Sequence, residues 1–428
     1  MPNPEAIEGL RESVSQQYGV ERNQVRAIFA PYRICPLGAH IDHQLGQVTA
    51  MALDLGVLLA YVPLARPEVR LRSCDFPGEV RFAFADVPER QPNDWGNILR
   101  GAVRALQAHH RLTTGLAGIT QGSLSEGGLS SSAAVGVAYL LALEEVNGLQ
   151  VTPQENILLD QAIENKYLGL RNGILDQSAI LLSRRRHLTL LDCATRQHEL
   201  VPEADALPPW TILIAFSGLQ QALVGTDYNR RVAECTEAAE TLLQAAGRRA
   251  DGANSRQGDM QTLAGTPGAG PPLRDVTADE YAAFRDRLTG PPARRAAHFF
   301  AEMERVRCGA DAWRRGDLRT FGQLITASGD SSIRNYECGA PPLIELYQRL
   351  IETPGVYGAR FSGAGFRGCC LALVEPERAE AIAAEVYAAY VRRYPELAAK
   401  AGLRLCQSGD GARLLEANLA PAIVPLAS

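Results

Sequence analysis

Three short stretches hold side chains whose types and spacing can do chemistry. "RICPLGAHIDHQLG" (33–46) opens on Arg33, sets His40, Asp42 and His43 between Gly38 and Gly46, and carries one small apolar residue, Ala39, among them. Such a run lines a ligand site or simply makes a polar turn. "EGGLSSSAAVGVA" (126–138) puts Gly127 and Gly128 ahead of Leu129, Ser130, Ser131, Ser132 and Ala133, where an apolar helix opens. Glycine allows positive φ and close backbone approach, and a helix start directs free N–H groups at one spot, an arrangement that cradles phosphate. A plain serine-capped helix is the competing explanation. No Gly-Lys-Ser/Thr follows the glycines, so this is not a Walker loop. "GILDQSA" (173–179) holds Asp176 among apolar neighbours, where an idle charge is costly. His40 and His43 make a poor metal site, because no Cys or His cluster completes it.

These stretches need elements to position them. Residues 25–30 and 48–62 read as strands flanking the first, and "EVRLRSCDFPGEVRFAFAD" as a hairpin with alternation on both arms. "NDWGNILRGAVRALQAHH" reads as a helix capped by Asn93 or Asp94. The helix after the serines is apolar nearly all round, hence buried on most faces, and stops at Asn147-Gly148. "TPQE" (152–155) is a capping box with proline at the first helical position, opening a helix that ends near Gly169. From Trp210 strands and helices resume, with a Gly- and Pro-rich insertion at 248–272. The pattern predicts an α+β fold of two layers rather than a doubly wound sheet.

The chain of 428 residues is long enough for two domains, and 46% hydrophobic with 21% charged residues is globular. A net charge of −5 gives no footprint for nucleic acid or an anionic membrane. The N-terminus lacks an apolar signal core, and no apolar run suffices to span a bilayer. Nine cysteines without paired CxxC spacing read as free thiols, and the expected compartment is the cytoplasm.

"GGLSSSAAVG" resembles the phosphate loop of the GHMP kinases, the small-molecule kinases that include galactokinase, homoserine kinase and mevalonate kinase. "YRICPLGAHIDHQLG" is similar to the galactokinase signature, "LGLRNGILDQSA" to the segment with that family's catalytic aspartate, and "GARFSGAGFRGCCLALV" to its third, glycine-rich motif. The matches run in family order from about 25 to 413. The chain departs from the pattern at "LSE" (124–126), where Pro-x-Gly is usual, and at Ala364 and Arg367, where glycines are usual.

The resemblance implies the two-domain GHMP kinase fold. Residues 1–205 would form an N-terminal domain of the ribosomal protein S5 domain 2 type, and 206–428 a ferredoxin-like C-terminal domain. A strand within about 402–428 would return to the first, and the active site would lie in the cleft between them. The implied activity is phosphorylation of a sugar's anomeric hydroxyl by ATP with Mg²⁺, by a monomer or homodimer. In that scheme Asp176 is the catalytic base, Arg33 stabilises the transferred phosphoryl group, and Gly127 to Ala133 hold the triphosphate with Trp95 near the adenine. Ser131 or Ser132 and Glu164 bind Mg²⁺. His40, Asp42, Asn172, Gly173 and Tyr228 face the sugar, and His43 is scaffold. At the position of Ala39, galactokinases carry a glutamate that accepts from the sugar's 6-hydroxyl; alanine there would relieve repulsion of a C6 carboxylate. The wording of the motifs is most similar to the branch that acts on D-galacturonate, with galactose, arabinose or glucuronate as alternatives and a silent sugar sensor as the reading from another class. Arg367, and after it Arg171, are the candidates to pair with the uronate.

Overall fold

The structure is a computed structural model that describes residues 3–122, 128–219, 227–248, 270–363, 365 and 368–415. Strands β1 (Arg26–Ile34), β2 (Gln47–Leu64), β3 (Glu68–Ser73), β4 (Glu79–Ala83), β5 (Gly115–Gly122), β6 (His187–Asp192) and β7 (His198–Pro202) build a first sheet. Strands β8 (Thr211–Phe216), β9 (Val356–Phe361), β10 (Cys369–Val374) and β11 (Gly402–Cys406) build a second. Two short late strands, β12 (Ser408–Gly409) and β13 (Arg413–Leu415), return to the first sheet, on β2 and β1. The stretch beyond 402 therefore serves both sheets, and the chain crosses from one to the other between Pro202 and Thr211.

The first sheet runs β13-β1-β2-β5-β3-β4, with β6 attached to the first residues of β2 and β7 to β6. β2 is 18 residues long and buried over most of its length on both faces. On one face lies α1 (Pro4–Tyr18), which closes a small apolar core through Leu10 and Val14. On the other lie α2 (Asn97–Gln107), α3 (Ser131–Asn147), α4 (Pro153–Ala162) and α5 (Leu175–Leu182). The apolar circumference of α3 follows from this placement: it packs on β1, β2, α2, α4 and α5 at once. Its stop at Gly148 has φ +63, a conformation that suits glycine. The capping box at Thr152 is formed, and α4 gives way to a π-helical turn over Ile163–Tyr167. The start of α2 differs from the sequence reading. The helix begins at Asn97, because Asp94 spends one carboxylate oxygen on the Gly96 N–H (2.7 Å) and the other on Arg100 (2.8 Å).

The second sheet is antiparallel in the order β11-β8-β10-β9, the strand order of a ferredoxin-like βαββαβ unit. Its connections carry α6 (Tyr228–Ala245), α7 (Ala278–Phe284), α8 (Gly290–Arg314), α9 (Leu318–Arg334), α10 (Pro341–Glu352) and α11 (Ala379–Arg393). The second core, centred on β8, β10, α6 and α10, takes in Ile41 and Val48 from the first half. The loop after β1 is thereby wedged between the two sheets. The 25-residue α8 also packs on β2, β6 and β7 and backs that loop. Among the described residues no helix is long and apolar enough to cross a membrane.

Candidate active site

β1 does not run straight into the loop that follows it. Pro31 has no N–H to give the sheet, and the ladder with β2 shifts register between Pro31 and Arg33. The strands approach so closely there that a Cβ on Gly56 would stand 2.3 Å from the Ala30 carbonyl oxygen. Past this irregularity Arg33 is 3% exposed, at the wall of a cleft of about 450 Å³. Its Nε donates to Asp176 Oδ1 at 2.6 Å, and Nη1 reaches the Gly128 carbonyl at 3.4 Å. Asp176 sits in the first turn of α5, and its second oxygen accepts from the Ser130 hydroxyl.

That hydrogen bond changes the reading of the serine run. Ser130 occupies the position before α3, yet its backbone is left-handed (φ 56) and its side chain caps nothing. The hydroxyl serves the aspartate, so the first N–H groups of α3 carry no side-chain cap. Gly128, at φ +107, lies against Cys369 of β10, where a Cβ would stand 2.9 Å from the sulfur. The serine loop is thus held against the glycine-rich turn of the second half. Gly127 lies outside the described residues. Leu129 and Ala133 are core residues, so any contact they make with a nucleotide is through the backbone.

Glu164 is not the exposed helix residue its sequence context suggests. The π-helical turn buries it to 2% exposure and brings Oε1 to the Ser132 hydroxyl (2.9 Å) and Oε2 to the Asn172 amide (2.7 Å). Burial and the nearby Asp176 charge push its carboxyl up to about 7, against the two hydrogen bonds and Arg33. A buried carboxylate beside a serine hydroxyl, held only by neutral donors, fits Mg²⁺, which takes few protein oxygens and completes its shell with water and phosphate. Ser131 lines the same cleft.

The loop after β1 lines the same cleft. Gly38 (φ +100) passes so near Val48 that a Cβ would lie 2.6 Å from its Cα. Glu302 of α8, fully buried, accepts from the Gly38 and Ala39 N–H groups at 2.8 and 3.1 Å. His298, one turn earlier, bonds the Ala39 carbonyl at 2.8 Å. Ala39 is therefore clamped at both backbone groups and presents only a methyl to the cleft. Burial raises the Glu302 carboxyl, but Arg305 (2.6 Å), His298 and Arg360 outweigh it and hold the group at about 2. His40 has a left-handed backbone (φ 59) and stacks on Tyr336 with ring centroids 4.3 Å apart; burial, then the neighbouring cations, lower its imidazole well below the ordinary range. Asp42 lies against Gly173, where a Cβ would come 2.4 Å from Oδ2, so only glycine fits there. Burial and the Asp176 charge raise the Asp42 carboxyl to about 6.

The residues expected to act therefore converge. Arg33, Asp176, Ser130 to Ser132 and Glu164 line one cleft together with Ala39, His40, Asp42, Asn172, Gly173 and Tyr228. Trp95 also lines it, with Nε1 on the Pro77 carbonyl at 3.3 Å and its ring stacked beside Phe76. His43 is buried against Tyr336 (2.9 Å) and Gln44 (3.0 Å), away from the cleft surface. Arg171 is exposed and outside the lining, and Arg367 lies outside the described residues. The sequence reading missed Glu302, His298, Tyr336 and Arg360. For Arg360 a signal existed: a lone cation between Ala359 and Phe361 in a strand otherwise apolar.

Residues 97–184 match the family described as the GHMP kinases N terminal domain, and 310–392 match the GHMP kinases C terminal family. The chain is 49% identical to the galacturonokinase of Arabidopsis thaliana over 97% of its own length and 99% of that protein. It is 31% identical to the galactokinase of Roseiflexus sp. (strain RS-1), over 96% of this chain and 98% of the other. The crystal structure of Lactococcus lactis galactokinase complexed with galactose superposes with a TM-score of 0.83 at 28% identity, covering 96% of this chain and all of that one. With both family segments in order, a ferredoxin-like second sheet and near full-length relatives, the chain belongs to the GHMP kinases, on their galactokinase-like side.

Proposed function

We propose that the protein transfers the γ-phosphoryl group of ATP to the anomeric hydroxyl of D-galacturonate, giving galacturonate 1-phosphate and ADP. The observation that carries this reading is one cleft shared by the Arg33–Asp176–Ser130 cluster beside the start of α3 and by a loop whose Ala39 offers a methyl where a carboxylate would repel a uronate. The Arabidopsis galacturonokinase, a relative across nearly the whole chain, supports the same substrate.

In this reading Asp176 accepts the proton of the anomeric hydroxyl as its oxygen bonds phosphorus and the bond to the β-phosphate breaks. Arg33 neutralises charge on the transferred group, and the uncapped N–H groups of α3 with the loop from Gly127 hold phosphate oxygens. Ser131, Ser132 and Glu164 hold Mg²⁺, which neutralises phosphate charge when bound. His40, Asp42, Asn172, Gly173 and Tyr228 meet the sugar hydroxyls, and Trp95 flanks the adenine. We assign residues 1–205, joined by the returning strands β12 and β13, to the first domain and the rest of 206–428 to the second. All nine cysteines are free thiols, which supports a cytoplasmic location, and a monomer or homodimer is the assembly we assign.

An ADP-release assay with Mg-ATP and galacturonate, glucuronate, galactose and arabinose tests the reading. Galacturonate should give the highest kcat/KM, and Ala39→Glu should shift preference toward galactose by roughly 100-fold, the scale of a like-charge clash in a partly desolvated site. Asp176→Asn should lower kcat by about 10²–10⁴. A wild-type preference for galactose would sink the substrate assignment, and absence of turnover on every sugar would point to a sensor.

A further inference from the structure

Arg360 projects from β9 into the interior, 2% exposed, and borders the cleft alongside Ala39 and Cys35. Its Nη1 donates to the Cys35 carbonyl at 3.2 Å, while Nε has no hydrogen-bond partner among the described residues. Among the described residues it makes no ion pair, although a guanidinium rarely stays buried without one. The nearby carboxylate is Glu302, and it is already engaged: Oε1 accepts from Gly38, Ala39 and Ser328, and Oε2 from Arg305. Arg305 and Arg360 both act on Glu302, so two cations face one carboxylate behind Ala39.

We propose that Arg360 is the specificity-determining residue for the acid group of the substrate: the C6 carboxylate enters over the Ala39 methyl and pairs with this guanidinium. The inference rests on the assignment of a uronate as substrate and goes beyond it by naming the receiving cation. A planar fork with a vacant donor edge suits a carboxylate, and a neutral hydroxymethyl group would leave the buried charge unanswered. The ligand so completes an ion pair that the chain leaves open. Arg360 lies in the strand before the glycine-rich turn, seven positions ahead of Arg367, the cation that the sequence motif singled out.

The test crosses the residue with the substrate. Galacturonate and galacturonamide, which differ in charge at C6, are compared on the wild type and on Arg360→Gln. We expect the wild type to prefer the acid by about 100-fold in kcat/KM through KM, and Arg360→Gln to bring the two within about threefold, with KM for ATP unmoved. An equal loss on both substrates, leaving the wild-type ratio intact, would overturn the pairing, as would a change confined to KM for ATP. If Arg360→Gln does not fold, Arg360→Lys keeps the charge and loses the fork, and should cut the ratio about tenfold; an unchanged ratio there counts equally against the proposal. Arg367→Ala run alongside should keep the wild-type ratio, and its collapse there instead of at position 360 would also overturn the pairing. A wild type that prefers galactose to galacturonate fails the functional reading itself, a result read from the unmutated enzyme alone.

Discussion

Asp42 shows what it costs to keep a charge ready inside this cleft. Its carboxyl is raised from an ordinary 3.8 to about 6, first by burial and then by the charge of Asp176. A carboxyl raised by folding favours the folded state most fully below its unfolded value, and that contribution is lost as pH rises from about 4 through 6. Binding runs the other way, because only the ionised form offers both oxygens to sugar hydroxyls. Below pH 6, KM for the sugar should therefore rise, approaching tenfold per pH unit, with kcat less affected. Steady-state kinetics between pH 4.5 and 8 would show it, and Asp42→Asn should flatten the acid limb at weaker overall affinity. An acid limb that survives that substitution would assign the titration to another group.

At the scale of elements, α8 decides where the sugar loop stands. Its residues 298 and 302 hold both backbone groups of Ala39, so a helix of the second half fixes the position to which the proposed function assigns substrate choice. The Glu302 carboxyl is kept near 2 against the pull of burial, so its contribution is present above the ordinary 4.5 and disappears only as pH falls through about 2. Glu302→Gln retains an oxygen for the Ala39 N–H but leaves Arg305 without its partner. We expect a stability loss of about 3 kcal/mol, the scale for breaking one side of a buried ion pair, together with a raised KM for the sugar. Thermal unfolding and kinetics on the same preparation would check both. A loss of stability with KM unchanged would mean that the loop keeps its position without the clamp.

For the whole molecule, the two sheets are not made from two separate lengths of chain. β13 pairs with β1 through Ala27, Ile28 and Phe29, and β12 pairs with β2 at Ala52 and Leu53, close to the register of Arg33. Ending the chain after Cys406 would bare those edges, and unpaired strand edges invite association. Such a truncation should retain the second sheet yet lose solubility and sugar binding, measurable by size-exclusion chromatography and isothermal titration. Much of the cleft was legible because its residues come in continuous words: 33–46, 128–132 and 172–176 each fold as one turn or loop. Ser130 was legible as a position and not as a role, since its hydroxyl serves Asp176, 46 residues further along the chain, instead of capping the helix it precedes. Glu302, His298 and Arg360 were not legible, because they reach the loop from helices and strands some 260 to 325 residues away. Periodicity reports which face of an element is apolar, and it does not say which distant element will meet it.

The return of β12 and β13 also bears on how the protein comes into being. On the ribosome, β1 and β2 emerge early, while the strands that finish their pairing are translated some 350 residues later. At the usual pace of synthesis that is an interval of roughly 20–70 seconds. Throughout it the nascent chain displays a raw edge beside Arg33. The pairing around Arg33 is thus complete only once the chain has been made past residue 415, and the early half stays unfinished until then.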